Sequence, residues 1–468
     1  MEQQKPPQPL SLVRSLGPWD AASIVVGTII GSGIFLVPSS MAAAVGSPGM
    51  VLLVFIVGGL LSLAGALTYA ELGAAMPDAG GEYVYLREAY GPLWGFLYGW
   101  TQFCVAKSGS IATLATAFFY YLANFWPALE APLWEAVLPI GRGGTVLRIS
   151  SGQILAMALI LGLAWVNYFG VKVGGRVQTS VTALKIGLIL AIVGLAAILG
   201  GGEAANLTSV AEHRGGVSGF FVALVAALWA YDGWNNLNMA SGEVSDPGKN
   251  IPRALIFGVL AVMSVYIVTN VAYFYVLPAQ AISDSNRVAS DVAKAFLGGA
   301  GGDAVAIAAM ISIFAALNGS ILSGARVPYA MARDGYFFAA LGKVHPQHRS
   351  PHVSILALTL WAALLVLSGS YEQLFTYVIF ASWILYGMAA ATVFVLRRKR
   401  PDLPRPHRVI GYPVVPLFFV AMATALVVMT FLDSPRESLM GLCLIALGIP
   451  FYWIWRKSAS FQRNRFRA

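Results

Sequence analysis

The chain has 468 residues, 58% of them hydrophobic and only 11% charged, and a mean hydropathy of +0.72. That balance excludes an ordinary soluble domain. Its formal charge of +9 does not mark a nucleic-acid binder, because the basic residues follow the loops between apolar runs instead of forming one patch. Twelve apolar runs suit helices that cross a bilayer, at roughly 20–45, 49–75, 93–124, 152–169, 178–200, 218–240, 253–277, 304–331, 353–369, 373–396, 412–432 and 438–456. No stretch between them is long enough for a separate soluble domain.

The N-terminal segment, 1–17, lacks the apolar core of a cleavable signal, so the first span is expected in the mature protein. With that segment inside, cytoplasmic stretches hold 21 of the 30 Lys and Arg residues and extracellular loops hold six. Lys107, Lys185 and Arg326 fall within spans. This positive-inside bias places both termini, including the tail 458–468, in the cytoplasm of a multi-pass plasma-membrane protein. Cys104 and Cys443 both lie in apolar runs, so no disulfide framework is encoded.

Inside the first span, Gly27 to Phe35 reads Gly-Thr-Ile-Ile-Gly-Ser-Gly-Ile-Phe. Three glycines and two hydroxyl residues weaken a helix at mid-membrane depth, and opened backbone is tolerated there only beside protein or a polar cavity. Close helix packing through Gly31 and Gly33 explains the same residues. After the second span, Met76 to Tyr83 carries Pro77 and Gly80-Gly81, which turn the chain into a packed loop. Lys107 in the third span and Lys185 in the fifth each cost about 2.5–3.5 kcal/mol on insertion scales. They face a bundle interior or cavity, or they snorkel to an interface.

The sixth span is interrupted as well. Leu228 to Leu237 places Asp232, Gly233, Asn235 and Asn236 at its centre. Asp and Asn compete for backbone groups, and Gly costs roughly 1 kcal/mol relative to Ala. Asp232 is a functional candidate by its depth, and an ion pair with Lys107 or Lys185 is the structural alternative.

The two breaks open two blocks of five spans, 18–200 and 218–400, with a last pair of spans in 410–457. Paired interruptions at corresponding positions point to a transporter built from inverted repeats, with its substrate between the breaks near the midplane. That geometry suits a zwitterion. Amide groups at a half-helix N-terminus hold a carboxylate, and carbonyls at a half-helix C-terminus hold an ammonium. Ser32 and Gly33 suit the first role and the Trp229–Tyr231 carbonyls the second, with the Trp229 ring as a thin gate.

Further on, Ser320 and Ser323 of the eighth span present oxygens that suit sodium. His345, His348 and His352 are interrupted by Pro346 and Pro351 and have no acidic or Cys partner nearby, so no metal site is assigned. Phe380, Ser382 and Trp383 in the tenth span are candidates for the far wall of the cavity, and packing fits them equally.

The segments Gly27–Phe35, Tyr69–Gly73, Pro77–Tyr83, Trp229–Asn235, Glu243–Pro252 and Asn318–Arg333 resemble the L-type amino acid transporters of the amino acid–polyamine–organocation superfamily. The resemblance covers about residues 15–457 with order and spacing kept. It implies an all-α membrane protein with twelve helices, a five-plus-five inverted repeat of the LeuT-like kind, and helices 1 and 6 unwound. It also implies alternating access and sodium-independent exchange of L-amino acids. By the resemblance, the segment matching Ile29, Ser32 and Gly33 takes the substrate carboxylate, with Ile30 and Gly31 also in the substrate-binding set. The segment matching Trp229, Ala230 and Asp232 receives the ammonium, Tyr231 and Gly233 complete the substrate-binding set, and Asn235 stands on the ligand side. Lys107 joins Phe380, Ser382 and Trp383 around the cavity. Lys185 resembles a lysine whose ammonium takes the place of a sodium ion, and a fixed cation there would repel one. Two departures stand out. The loop 124–150 contains no Cys, so a disulfide-linked heavy subunit is not expected. Asp232 stands where some relatives carry Gly, Ser or Ala, which leaves neutral and cationic substrates both open.

The expected function is exchange of small or neutral L-amino acids without cofactor, metal or nucleic acid, the bilayer being the other partner. A proton-coupled symporter of the same fold, titrating at Asp232, Glu71 or Lys185, is the alternative, and an amino acid sensor would share the site. An enzyme is excluded, because no nucleophile–base pair or metal set is gathered in the sequence.

Overall fold

A computed structural model describes residues 10–138, 145–199, 201–213, 215–367 and 371–465. The outer parts of the two expected terminal segments, 1–9 and 466–468, lie outside the described residues. In chain order the elements are α1 (Pro18–Ile29), α2 (Gly33–Val45), α3 (Pro48–Ala75), α4 (Glu82–Tyr90), α5 (Pro92–Thr101) and α6 (Lys107–Leu122). A hairpin of β1 (Pro132–Leu138) and β2 (Thr145–Ser150) follows, then α7 (Ser151–Tyr168), α8 (Val171–Leu199), α9 (Gly216–Ala230), α10 (Asn236–Met239) and α11 (Pro247–Val276). The chain continues with α12 (Ala279–Ser283), α13 (Val288–Gly324), α14 (Arg326–Arg333), α15 (His352–Val366) and α16 (Tyr371–Lys399). It closes with α17 (Val414–Asp433), α18 (Pro435–Ala446) and α19 (Gly448–Arg465).

Among the described residues, nine helical segments are long and apolar enough to cross a membrane, and α9 and α15 are shorter apolar helices. With the 29-residue α16 they make the twelve spans expected. The two interruptions are real: the first span is α1 plus α2, parted at Ile30–Ser32, and the sixth is α9 plus α10, parted at Tyr231–Asn235. Each opens a block of five spans, the five-plus-five arrangement with helices 1 and 6 unwound.

Three features depart from the expected elements. The loop after the third span forms the antiparallel β1–β2 pair, with Glu135 opposite Arg148. The third span passes through a π-helical turn at Gln102–Ala106, directly before Lys107. The eighth span starts earlier than the apolar run, because α13 bends at Gly298 (φ 63°, ψ −153°), a backbone that glycine adopts without a Cβ penalty.

An even number of spans puts both chain ends on one face, and that face is locked by ions. Arg326 Nε lies 2.6 Å from Glu243 Oε2, both side chains essentially unexposed. The Glu243 carbonyl also accepts from the amides of Ser15 and Leu16, which pins the N-terminal segment onto the end of the sixth span. Glu71 holds Arg397, Arg405 (3.4 Å) and the Val409 amide (2.8 Å). Asp334 holds Arg87 and the Tyr83 hydroxyl.

Removing one partner of a buried ion pair strands the other charge, at about 3–5 kcal/mol. Arg326→Met should therefore lower the thermal unfolding temperature of the detergent-purified protein sharply, and Glu243→Met with Arg326→Met should recover most of the loss. A single variant as stable as the parent would show that the pair does not hold this face together.

Candidate functional site

Parting a helix in the membrane strands carbonyls that water would otherwise satisfy. Here side chains from three other spans reach the opened stretch between α1 and α2. Lys185 of α8, fully buried, donates to Gly27 O at 2.7 Å and to Ile30 O. Ser312 of α13 lies 3.1 Å from both Ile30 O and Gly31 O. Tyr266 of α11 places its hydroxyl 3.0 Å from Ile29 O and 2.8 Å from Ala230 O, so one proton is shared by the last carbonyls of α1 and α9. Thr28 adds a direct bond between the breaks, its Oγ1 lying 2.9 Å from Gly233 O.

The breaks also touch backbone to backbone. A Cβ on Gly33 would sit 2.6 Å from Ala230 Cα, closer than packed atoms come. Gly233 has φ +100°, and a Cβ there would press on Thr28 at 3.0 Å. Glycine is required at both positions, by contact at the first and by conformation at the second.

Between the breaks lies a cavity of about 20 Å³, lined by Thr28, Ile29, Gly31, Ser32, Gly33, Ser110, Leu114, Trp229, Asp232, Gly233, Asn236 and Ser320. This is room for about one water molecule. Above it, toward the face opposite the termini, a second cavity of about 840 Å³ runs between the ends of α2, α6, α9 and α17. Trp229 lines both cavities. Asp232 is buried, and its Oδ1 accepts from the Tyr386 hydroxyl at 3.3 Å. The site thus offers amide groups at the start of α2 on one side and a carboxylate with helix-end carbonyls on the other.

The expected residues divide by what they touch. Ile29, Gly31, Ser32, Gly33, Trp229, Asp232 and Gly233 border the inner cavity, and Ile30 and Ala230 contribute backbone beside it. The Tyr231 ring turns away, its hydroxyl on Phe55 O at 3.1 Å. Asn235 is buried against Glu82. Lys107 does not border the cavity; its ammonium bonds Asn236 Oδ1 at 2.6 Å, with Asp232 near enough to act on it electrostatically. Phe380, Ser382 and Trp383 are buried but border neither cavity. Trp383 packs on Phe419 (centroids 5.7 Å apart), and Phe380 lies against Gly441. Ser323 bonds the carbonyl of Gly319 in its own helix.

Thr28, Tyr266, Ser312 and Asn236 were not singled out from sequence. A hydroxyl or amide in an apolar run carries no mark of which carbonyl it will meet. Thr28 and Asn236 had a local signal, since both lie in the interrupted stretches read from the sequence.

Comparison with known proteins points one way. The model of the family described as amino acid permease matches residues 16–453. The serine/threonine exchanger SteT of Bacillus subtilis (strain 168) is 33% identical over 449 residues, 95% of this chain and 98% of its own. The human b(0,+)-type amino acid transporter 1 is 32% identical over 459 residues, 97% of this chain and 90% of its own. The human large neutral amino acids transporter small subunit 2 is 33% identical over 453 residues, 95% and 81% respectively.

Overpacking a tight contact costs about 1–3 kcal/mol, so Gly33→Ala should weaken amino acid binding by about tenfold or more. Gly49, with nothing within 4 Å of an added Cβ, supplies the control: Gly49→Ala should leave binding unchanged. Equal affinities in a scintillation-proximity assay would show that the contact of Gly33 with Ala230 does not shape the site.

Proposed function

We propose an exchange function on one premise: the chain belongs to the amino acid permease family. In this reading it is a sodium-independent antiporter of small or neutral L-amino acids. Its termini are cytoplasmic, and the larger cavity opens outward from the plasma membrane. The positive-inside charge count supports that orientation. The names of the relatives, a serine/threonine exchanger among them, support the substrate class. The blocks 18–200 and 218–400 are the two repeats.

The observation that carries the reading is the meeting of two broken spans at one cavity, with opposite ends of half-helices facing it. A zwitterion would place its carboxylate on the amides of Gly31 to Gly33 and its ammonium toward the end of α9 and Asp232. Trp229 would swing to admit it and close above it. Lys185 already occupies the opened carbonyls of Gly27 and Ile30. A sodium ion brought to about 4 Å from that ammonium would meet roughly 4 kcal/mol of repulsion at an effective dielectric of about 20. The ammonium is part of the chain, so it supplies no ion gradient to drive net uptake, which favours exchange. With no Cys in the loop 124–150, we infer a carrier that works without a disulfide-linked subunit.

Purified protein in liposomes should take up labelled serine or alanine only when the vesicles hold unlabelled amino acid, in sodium-free buffer of equal pH on both sides. Uptake into empty vesicles would mean net transport and overturn obligatory exchange. Lys185→Ala should cut the exchange rate by about tenfold, in line with the 1–3 kcal/mol cost of buried carbonyls left unpaired. An unchanged rate would remove Lys185 from the mechanism.

A further inference from the structure

Beneath the substrate cavity, toward the face bearing the termini, lies a buried polar cluster that the exchange reading leaves without a task. Glu82 is its centre. It is the first residue of α4, in the connection between the second and third spans, and it is wholly unexposed. One carboxylate oxygen accepts from Asn235 Nδ2. The other has no hydrogen-bond partner, nor do Asn235 Oδ1 and both polar atoms of the Gln102 amide. The Tyr98 hydroxyl faces the carboxylate without closing a bond of standard length.

The charges do not balance either. From α6, Lys107 acts on both Glu82 and Asp232, and its ammonium bonds Asn236. One cation serves two carboxylates. The other titratable groups facing Glu82 are the phenols of Tyr69 on α3, Tyr85 on α4, Tyr98 on α5 and Tyr386 on α16, none of which supplies a positive charge.

The position of the cluster is what gives it leverage. The loop before Glu82 is docked on the inner half of the sixth span. The Gly80 amide donates to Met239 O at 2.9 Å, and Ser241 Oγ donates to Asp78 O at 2.7 Å. A Cβ on Gly81 would meet the Asn238–Met239 peptide at 2.8 Å. Access to the substrate cavity from this face requires that seam to open, and Glu82 lies in it with Asn235, two residues from the cavity-lining Gly233.

We propose that Glu82 is a proton-binding residue that sets the closure of this face: protonated it keeps the α4 loop docked on α10, and ionised it drives the seam open. An ionised carboxylate with one oxygen unpaired is stable only if water reaches it. Opening supplies that water, so ionisation and opening favour each other. Burial pushes the Glu82 carboxyl from 4.5 up to about 7 in the closed form, against the opposing effects of its backbone bond, the Asn235 bond, the Tyr98 hydroxyl and the Lys107 charge. The closed form therefore binds the proton more tightly. Closure is fully favoured below about 4.5, weakens as pH rises toward about 7, and levels off above that value. The closed-to-open ratio should change on the order of 100-fold across that window. Glu82 acts through Asn235 and not on the substrate, which makes it a positioning residue.

The inference rests on the carrier reading, and its test is separable from it. Hydrogen–deuterium exchange of the full chain in lipid nanodiscs, corrected for intrinsic chemistry, should show peptides spanning 76–90 and 235–243 protected at pH 5. They should lose protection up to pH 7. Glu82→Gln, neutral at every pH, should keep them protected throughout and flatten the pH dependence of exchange. Lys107→Met removes the one nearby cation and should move the wild-type transition to higher pH. A wild-type profile without pH dependence, a Glu82→Gln profile that tracks it, or a Lys107→Met transition that stays in place would each overturn the proposal. A normal profile with no amino acid exchange at any pH would instead overturn the transport mode and leave the proton site standing.

Discussion

The architecture depends on how four carbonyls in the middle of the first span are satisfied. Each backbone group left unpaired in the hydrocarbon region costs several kcal/mol, so Ile30 to Ser32 could not open without compensation. Lys185, Ser312 and Tyr266 provide it from the fifth, eighth and seventh spans. The break is thus a property of the bundle, not of the nine residues that show it. Tyr266 also ties Ile29 to Ala230, so the ends of both broken spans are positioned by one hydroxyl. Movement of either half-helix must then exchange these bonds for others, with substrate groups as the natural replacements.

The two sides of the site are held by different physics. On the terminus-bearing face, closure comes from ion pairs such as Arg326–Glu243 and from a docked loop. Charged pairs of this kind are specific in geometry and sensitive to hydration. On the opposite face, Trp229 lines both the 840 Å³ cavity and the inner cavity between the breaks. On the terminus-bearing face several ion pairs must be parted together. The conformation accordingly has its wide cavity on the face opposite the ion pairs.

Much of this was legible in the sequence, and the limits have physical causes. The breaks could be read because Gly, Ser, Asp and Asn are poor helix interiors wherever they stand. The spans could be read because the bilayer fixes their length. The partners of the breaks could not. Ser312 and Tyr266 sit in apolar runs with no anomaly of charge or spacing, and their roles exist only once helices pack. The β1–β2 hairpin and the π-turn before Lys107 likewise arise from tertiary context. Lys107 and Lys185 drew equal attention as buried cations, yet one binds a side-chain amide and the other backbone carbonyls. The loop that ends at Glu82 read as packed, but only the fold shows that it docks on the inner half of the sixth span and buries the carboxylate there.

That difference bears on how a carrier of this kind separates recognition from control. In the proposed reading the substrate's common groups would meet mostly backbone: amides and carbonyls at the breaks do not titrate near neutrality, and Asp232 is the one carboxylate among the residues that line the inner cavity. Lys185 reinforces this, because its ammonium is committed to carbonyls and balances no carboxylate among its bonds. Control would then fall to charges one layer deeper, where Glu82 and Lys107 bond Asn235 and Asn236. The two asparagines are adjacent to the opened turn and carry its position to the charged layer through side-chain amides. A shift of the turn thereby changes the hydration of the charges, and a change in their protonation shifts the turn, by the reciprocity that linkage demands.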